Sequence, residues 1–227
     1  MVSVALLLLT TATSAAGLST VEVSLAAAPT HNISASFFSL TADSCRFSTA
    51  SGNRTATLLR SVRLRNMLLG LSPLVVRVGG TFTDFEVFPG PHPGSDNPKN
   101  VTQLQFSTAA WDALHALASK LPGSRVVVSV SGLLRHWKQA DLAWDSTNAE
   151  AFIRTNYNKG YQIYGYELGN EPGCWGSHGG SVSPAVHARD FALLRNVIDR
   201  TFRNATTLEK PLVIGADTTG CGAPDMF

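Results

Sequence analysis

The stretch "YGYELGNEPGCWG" (residues 164–176) decides how the chain is read. An apolar run ends abruptly on an amide, a carboxylate and a proline, Asn170-Glu171-Pro172. The run has the length and composition of a buried strand. A proline disfavours the α region for the residue before it, so Glu171 is expected to be extended, with its side chain held at the strand's end. The tripeptide alone supports two readings: an acid delivered to a cleft, or an ordinary turn that caps a strand. The rest of the chain discriminates between them.

Four other runs share this build. "SFFSL" (36–40) precedes Thr41-Ala42-Asp43, "LVVRV" (74–78) precedes Gly79-Gly80-Thr81, "VVVSV" (126–130) precedes Ser131-Gly132, and "LVIGA" (212–216) precedes Asp217. Continuous apolar runs suit parallel strands buried on both faces. Helical patterns separate them. Residues 57–70 alternate leucine with arginine and end at Gly70, and residues 107–121 carry Trp111, Leu114, Leu117 and Leu121 on one stripe. Thr147 and Glu150 form a capping-box pattern, and Ser183-Pro184 reads as an N-cap followed by proline in the first turn.

Strand, loop and helix therefore recur as βα units, the rhythm of an α/β protein. The candidate site residues all follow strands, which favours a barrel whose site lies at the C-terminal strand ends over a doubly wound sheet. The expected fold is an incomplete (β/α)8 TIM barrel of about the first five βα units, over residues 35–227. The alternating segment "TVEVSLA" (20–26) places an accessory β segment in residues 17–34. Five strands do not close an eight-stranded barrel, and the unpaired edges of half a barrel predict poor folding of the chain by itself.

The N-terminus, "MVSVALLLLTTATSAAGLST", holds an apolar run from Val2 to Leu9 followed by small residues, read as a cleaved signal peptide over residues 1–16. The run is shorter than the roughly 20 residues of a membrane span. An uncleaved signal anchor, or peripheral contact, is the remaining route to a membrane. Four glycosylation sequons, at Asn32, Asn53, Asn100 and Asn204, agree with passage through the secretory pathway, to an extracellular or lysosomal destination. Cys45, Cys174 and Cys221 make an odd count; Cys174 and Cys221 each follow a predicted strand, so they are either a disulfide across one barrel face or unpaired thiols. A net charge of +2 supplies no field for nucleic acid. No spacing fits a zinc site, and there is no glycine-rich phosphate loop.

With these segments in place, the chain resembles the heparanase family of endo-β-glucuronidases, retaining glycoside hydrolases of the (β/α)8 clan. The resemblance runs from about residue 20 to 220. It is carried by "SASFFSLTADS", "GLSPLVVRVGGTFTDFEVF", "WDALHALASKL", "SGLLRHWKQADLAWDSTNAEAF", "YELGNEP" and "VIGADTTG". It implies that Glu171 is the acid/base protonating the leaving glycosidic oxygen and that Asn170 contacts the sugar 2-hydroxyl. It also implies that Asp43 and Thr81 line the site from the first and second strands. Read without the resemblance, Asp43 is either a ligand contact or a loop cap, and Thr81 is a turn residue. Asp84 and Glu167 are read as structural.

A retaining mechanism needs a second carboxyl as nucleophile. The resemblance assigns it to a later strand beyond Phe227, and gives Asp217 no such role. The loops after the second and fourth strands carry little basic charge, only Lys99 and a few histidines. That points to a glucuronide-containing glycan or proteoglycan less charged than heparan sulfate. Trp175 either stacks on a sugar face or packs on its own loop. Proton transfer and a covalent glycosyl intermediate require no metal or organic cofactor. The alternative function is a non-catalytic secreted fragment that binds glycan or regulates.

Overall fold

The computed structural model describes residues 33–89, 104–178, 180–215 and 217–218. The leader, the accessory segment up to Asn32, and Asn32, Lys99, Asn100 and Cys221 lie outside the described residues.

Five parallel strands form one sheet: β1 (Ser39–Asp43), β2 (Val75–Gly79), β5 (Arg125–Val130), β6 (Gly165–Leu168) and β7 (Leu212–Ile214). Their spatial order is β1-β2-β5-β6-β7, the order of the chain. A doubly wound sheet reverses its strand order at a switch point. Here every neighbour is the next strand along the chain and every pairing is parallel, as in a (β/α)8 barrel. The chain therefore forms part of such a barrel, and among the described residues the sheet stays open, with β1 and β7 at its edges. A short parallel pair, β3 (Glu86–Val87) and β4 (Leu104–Gln105), lies between β2 and α3.

Central and edge strands differ in burial. Val126, Val127, Val128 and Val130 of β5 and all four residues of β6 are buried, as continuous apolar runs predict. The outer strand β1 departs from expectation. It begins at Ser39 rather than at residue 36, and most of it is exposed, because an edge strand has a neighbour on one side only.

The first helical pattern is two helices, not one. α1 (Thr49–Leu59) ends at Arg60, and Ser61 starts α2 (Val62–Leu69), its hydroxyl accepting from the Leu64 N–H. A serine before an apolar repeat competes for backbone donors and restarts the helix. α3 (Thr108–Ala118) and α5 (Pro184–Thr201) begin as read, with Ser107 and Ser183 accepting from Ala110 and Val186. α4 (Thr147–Asn158) does not use the expected capping box. Ser146 is its N-cap, and the Thr147 N–H donates instead to the Asp145 carboxylate. Glu150 is left to pair with Arg154 and Arg200.

The core lies between the sheet and these helices. Phe88 stacks on Phe152, Phe106 meets both, and Trp111 closes the aromatic cluster. Within it, Trp111 Nε1 donates to Asn156 Oδ1 at 2.7 Å, and Asn156 Nδ2 donates to the Tyr166 hydroxyl at 3.1 Å. This satisfied polar chain joins α3, α4 and β6.

Candidate active site

The parallel register brings the C-terminal ends of all five strands to one rim. Asp43 ends β1 opposite Gly79 of β2, and Thr81 follows two residues later. Asn170 and Glu171 follow β6, two strand spacings from β2, or about 10 Å.

Asn170 is buried and its N–H donates to Asp84 Oδ2 at 2.9 Å. Glu171 is half-buried, and its backbone is not extended as the following proline predicts. Its φ is 47°, in the left-handed region that side chains disfavour. Two backbone bonds hold it there: the Glu171 N–H donates to the Asp217 carbonyl at 2.8 Å, and the Cys174 N–H donates to the Glu171 carbonyl at 2.7 Å. The tight turn and its link to the end of β7 overrule the local preference set by Pro172. Backbone strain of this kind accumulates at functional sites, where surrounding contacts over-determine the conformation.

Asp84 is the hub of this region. It sits in the 3-10 turn Thr81–Phe85 after β2, fully buried. Its Oδ1 accepts the Gly132 N–H at 2.9 Å, and its Oδ2 accepts the Asn170 N–H at 2.9 Å and Trp175 Nε1–H at 2.8 Å. Burial pushes its carboxyl up to about 7. The Gly132 and Asn170 N–H groups, Trp175 and the nearby Arg135 each oppose that rise. The structural reading of Asp84 is thus correct but incomplete, since it ties together the loops after β2, β5 and β6.

Trp175 is 1% exposed and unavailable to a sugar face. Its ring lies against two glycines: a Cβ at Gly132 would come within 2.4 Å of Trp175 Cη2, and one at Gly169 within 2.4 Å of Cζ2. Arg135, wholly buried, donates to the Gly132 carbonyl and pairs with Asp190 at 2.9 Å. Its guanidinium lies 5.5 Å from the Trp175 ring centroid.

Beneath the rim, Glu167 accepts from Arg77 Nε at 2.8 Å and from the Ser129 hydroxyl at 2.5 Å, the buried structural role expected of it. Asp217 is bound to the same Arg77 at 2.5 Å. Asp43 caps the 3-10 turn Ser44–Phe47, its Oδ1 accepting from the Cys45 N–H at 3.0 Å, while its side chain stays exposed beside Gly80.

Sequence reasoning missed Arg77 and Glu86. Arg77 lies inside an apolar run and gives no local signal of its two partners. Glu86 is 1% exposed, and among the described residues its Oε1 has no hydrogen-bond partner. Burial pushes its carboxyl up to about 9; the Ser44 hydroxyl tempers this and the Asp43 charge adds to it. Glu86 is therefore a neutral acid at pH 7.

Cys174 is disulfide-bonded and Cys45 is a free thiol. The sequon asparagines Asn53, on α1, and Asn204, after α5, are both exposed. Among the described residues no group of acids, histidines and cysteines could hold a metal ion, and no helix is long and apolar enough to cross a membrane.

Residues 20–220 match the N-terminal domain of glycosyl hydrolase family 79. Similar curated proteins include heparanase-like protein 3 of Arabidopsis thaliana, 32% identical over 189 residues, covering 76% of this chain and 34% of that protein. Heparanase of Mus musculus is 29% identical over 222 residues, covering 78% of this chain and 40% of that protein. Baicalin-beta-D-glucuronidase of Scutellaria baicalensis is 28% identical over 179 residues, covering 66% and 33%. The chain thus spans 33% to 40% of the length of these three relatives. Parallel strands in barrel order, polar strand ends and a family match over most of its length agree: the chain belongs to glycosyl hydrolase family 79, whose N-terminal domain it carries.

Proposed function

We propose that this chain supplies the acid/base half of a retaining β-glucuronidase-type site, with Glu171 as the proton donor to the leaving glycosidic oxygen. One observation carries the reading. Glu171 follows the fourth strand of a barrel-ordered sheet, at the rim where such barrels bind substrate, in a strained turn fixed from two other strands. Asn170 contacts the sugar 2-hydroxyl, and Asp43 and Thr81 line the cleft from β1 and β2.

The nucleophile is a second carboxylate, placed about 5–5.5 Å from Glu171 and contributed by polypeptide outside these 227 residues. Among the described residues, four other carboxyls near this end of the sheet already have partners. Asp84 and Glu167 are buried acceptors, Asp217 is paired with Arg77, and Asp43 caps its own turn. The substrate is a glucuronide-containing glycan of modest charge, in keeping with loops poor in lysine and arginine. The chain enters the secretory pathway through residues 1–16, a route supported by the Cys174 disulfide and the exposed sequons at Asn53 and Asn204.

The test is expression from the full-length transcript, with hydrolysis of glucuronides followed for the parent and for Glu171→Gln. Loss of about a hundredfold or more in turnover supports the reading; unchanged turnover overturns it. Translation beyond Phe227 that lacks a strand-end carboxylate would leave the non-catalytic glycan-binding reading in its place.

A further inference from the structure

We propose that Asp84 is a positioning residue for the acid, aiming the Asn170-Glu171 turn through the Asn170 N–H and the Trp175 indole. The proposal rests on the reading of Glu171 as proton donor. Asp84 touches no reacting atom; it acts through the turn.

Three N–H groups from two different loops converge on one fully buried carboxylate: Gly132, Asn170 and Trp175 Nε1. All three are donors, so a group that only accepts is the species that satisfies them. The Trp175 N–H is shared with the Asn170 carbonyl at 2.9 Å, so both backbone groups of Asn170 are fixed within one bond of Asp84. The next residue is Glu171, whose left-handed φ is sustained by contacts rather than by local preference. A second anchor comes from the Asp84 carbonyl, which accepts from the Ser131 hydroxyl at 2.8 Å. Packing removes the slack. Trp175 has no room to move toward Gly132 or Gly169, and Gly169, itself at φ 70°, would bring a Cβ within 3.1 Å of Asp84 Oδ1. Weakening the hub therefore releases the turn that carries the acid.

The variant Asp84→Asn keeps the shape but turns an amide NH2 toward at least one N–H donor. The protein expressed from its full transcript is assayed on two substrates. One is an alkyl glucuronide, whose alkoxide must be protonated as it leaves. The other is a dinitrophenyl glucuronide, whose phenolate departs without a proton. The measured quantity is kcat/KM, which reports the step in which the glycosidic bond breaks.

A misaimed acid costs about a hundredfold on the alkyl substrate and about tenfold or less on the dinitrophenyl one. Equal losses on both, or no loss on either, overturn the proposal. Glu171→Ala is the control. Equal losses on both substrates in that variant defeat the assignment of Glu171 itself, separately from Asp84. If Asp84→Asn does not fold, Trp175→Phe removes a single N–H from the same oxygen and decides the matter. A weaker loss confined to the alkyl substrate supports positioning, and equal effects on the two substrates refute it.

Discussion

Arg77 Nε donates to Glu167 Oε2 at 2.8 Å, while the far nitrogen of the same guanidinium reaches Asp217 at 2.5 Å. One side chain from β2 thereby passes across β5 to tie down β6 and the end of β7. The arrangement compensates a mostly buried cation with two carboxylates from separate strands. It also anchors Asp217, whose carbonyl holds the Glu171 N–H.

Removing Glu167's charge leaves Arg77 its Asp217 partner but weakens two charge-assisted hydrogen bonds, from Arg77 and from Ser129. Glu167→Gln, which preserves shape, is expected to destabilise the protein by about 2 kcal/mol. Urea denaturation reads this as a lower midpoint with an unchanged slope. A midpoint equal to the parent's would show that the pair contributes nothing net.

Gly132→Ala places a methyl 2.4 Å from Trp175 Cη2, in a site walled by the Gly169 Cα at 3.3 Å. Overpacking of this kind costs about 1–3 kcal/mol. Differential scanning calorimetry should show a lower Tm, and near-ultraviolet circular dichroism a changed tryptophan band. An unaltered band would mean that the indole is not seated between the two glycines.

The buried Glu86 makes stability fall as pH rises. Its carboxyl moves from 4.5 in the unfolded chain to about 9 in the fold, so the folded state holds the extra proton throughout that window. Stability is full below pH 4.5 and is lost as pH climbs through 9. Asp84, raised to about 7, acts in the same sense at lower pH. His115 and His187, lowered by burial to about 4, act oppositely, losing stability as pH falls from 6.5 through 4. Between pH 7 and 9 Glu86 dominates this group. Chemical denaturation across that range should show declining stability in the parent and a nearly flat profile in Glu86→Gln. A parallel decline in both would refute a buried neutral acid at this position.

Asn156 joins Trp111 to Tyr166 inside the core. Asn156→Ala strands a buried indole N–H and leaves the Tyr166 hydroxyl without its donor, an expected cost of about 2–4 kcal/mol. Tyr166→Phe removes the hydroxyl and leaves one amide hydrogen unpaired, costing about 1 kcal/mol. Equilibrium unfolding of the two variants should preserve that order, and the reverse order would show that the network is not where the stability lies.

Much of the architecture was legible because it rests on local periodicity. The apolar runs of β2, β5 and β6, the stripe of Trp111, Leu114 and Leu117, and the Ser183-Pro184 start of α5 each depend on neighbours a few residues away. The position of Asn170-Glu171 after a buried strand was legible for the same reason. Edge burial was less so: "SFFSL" has the composition of an interior strand, yet among the described residues β1 has a neighbour on one side only.

What the amino-acid order determined by itself is the succession of strands and helices and the place of Asn170-Glu171 directly after the fourth strand of the sheet. What only the tertiary structure decided is how that glutamate is held. Pro172 favours an extended residue, but hydrogen bonds to Asp217 and Cys174, with the Asp84 hub behind Asn170, impose a left-handed one. Those partners come from the end of β7, the adjoining turn and the loop after β2. Long-range contacts outweighed a short-range preference, because a buried backbone donor must find its acceptor wherever the fold places it.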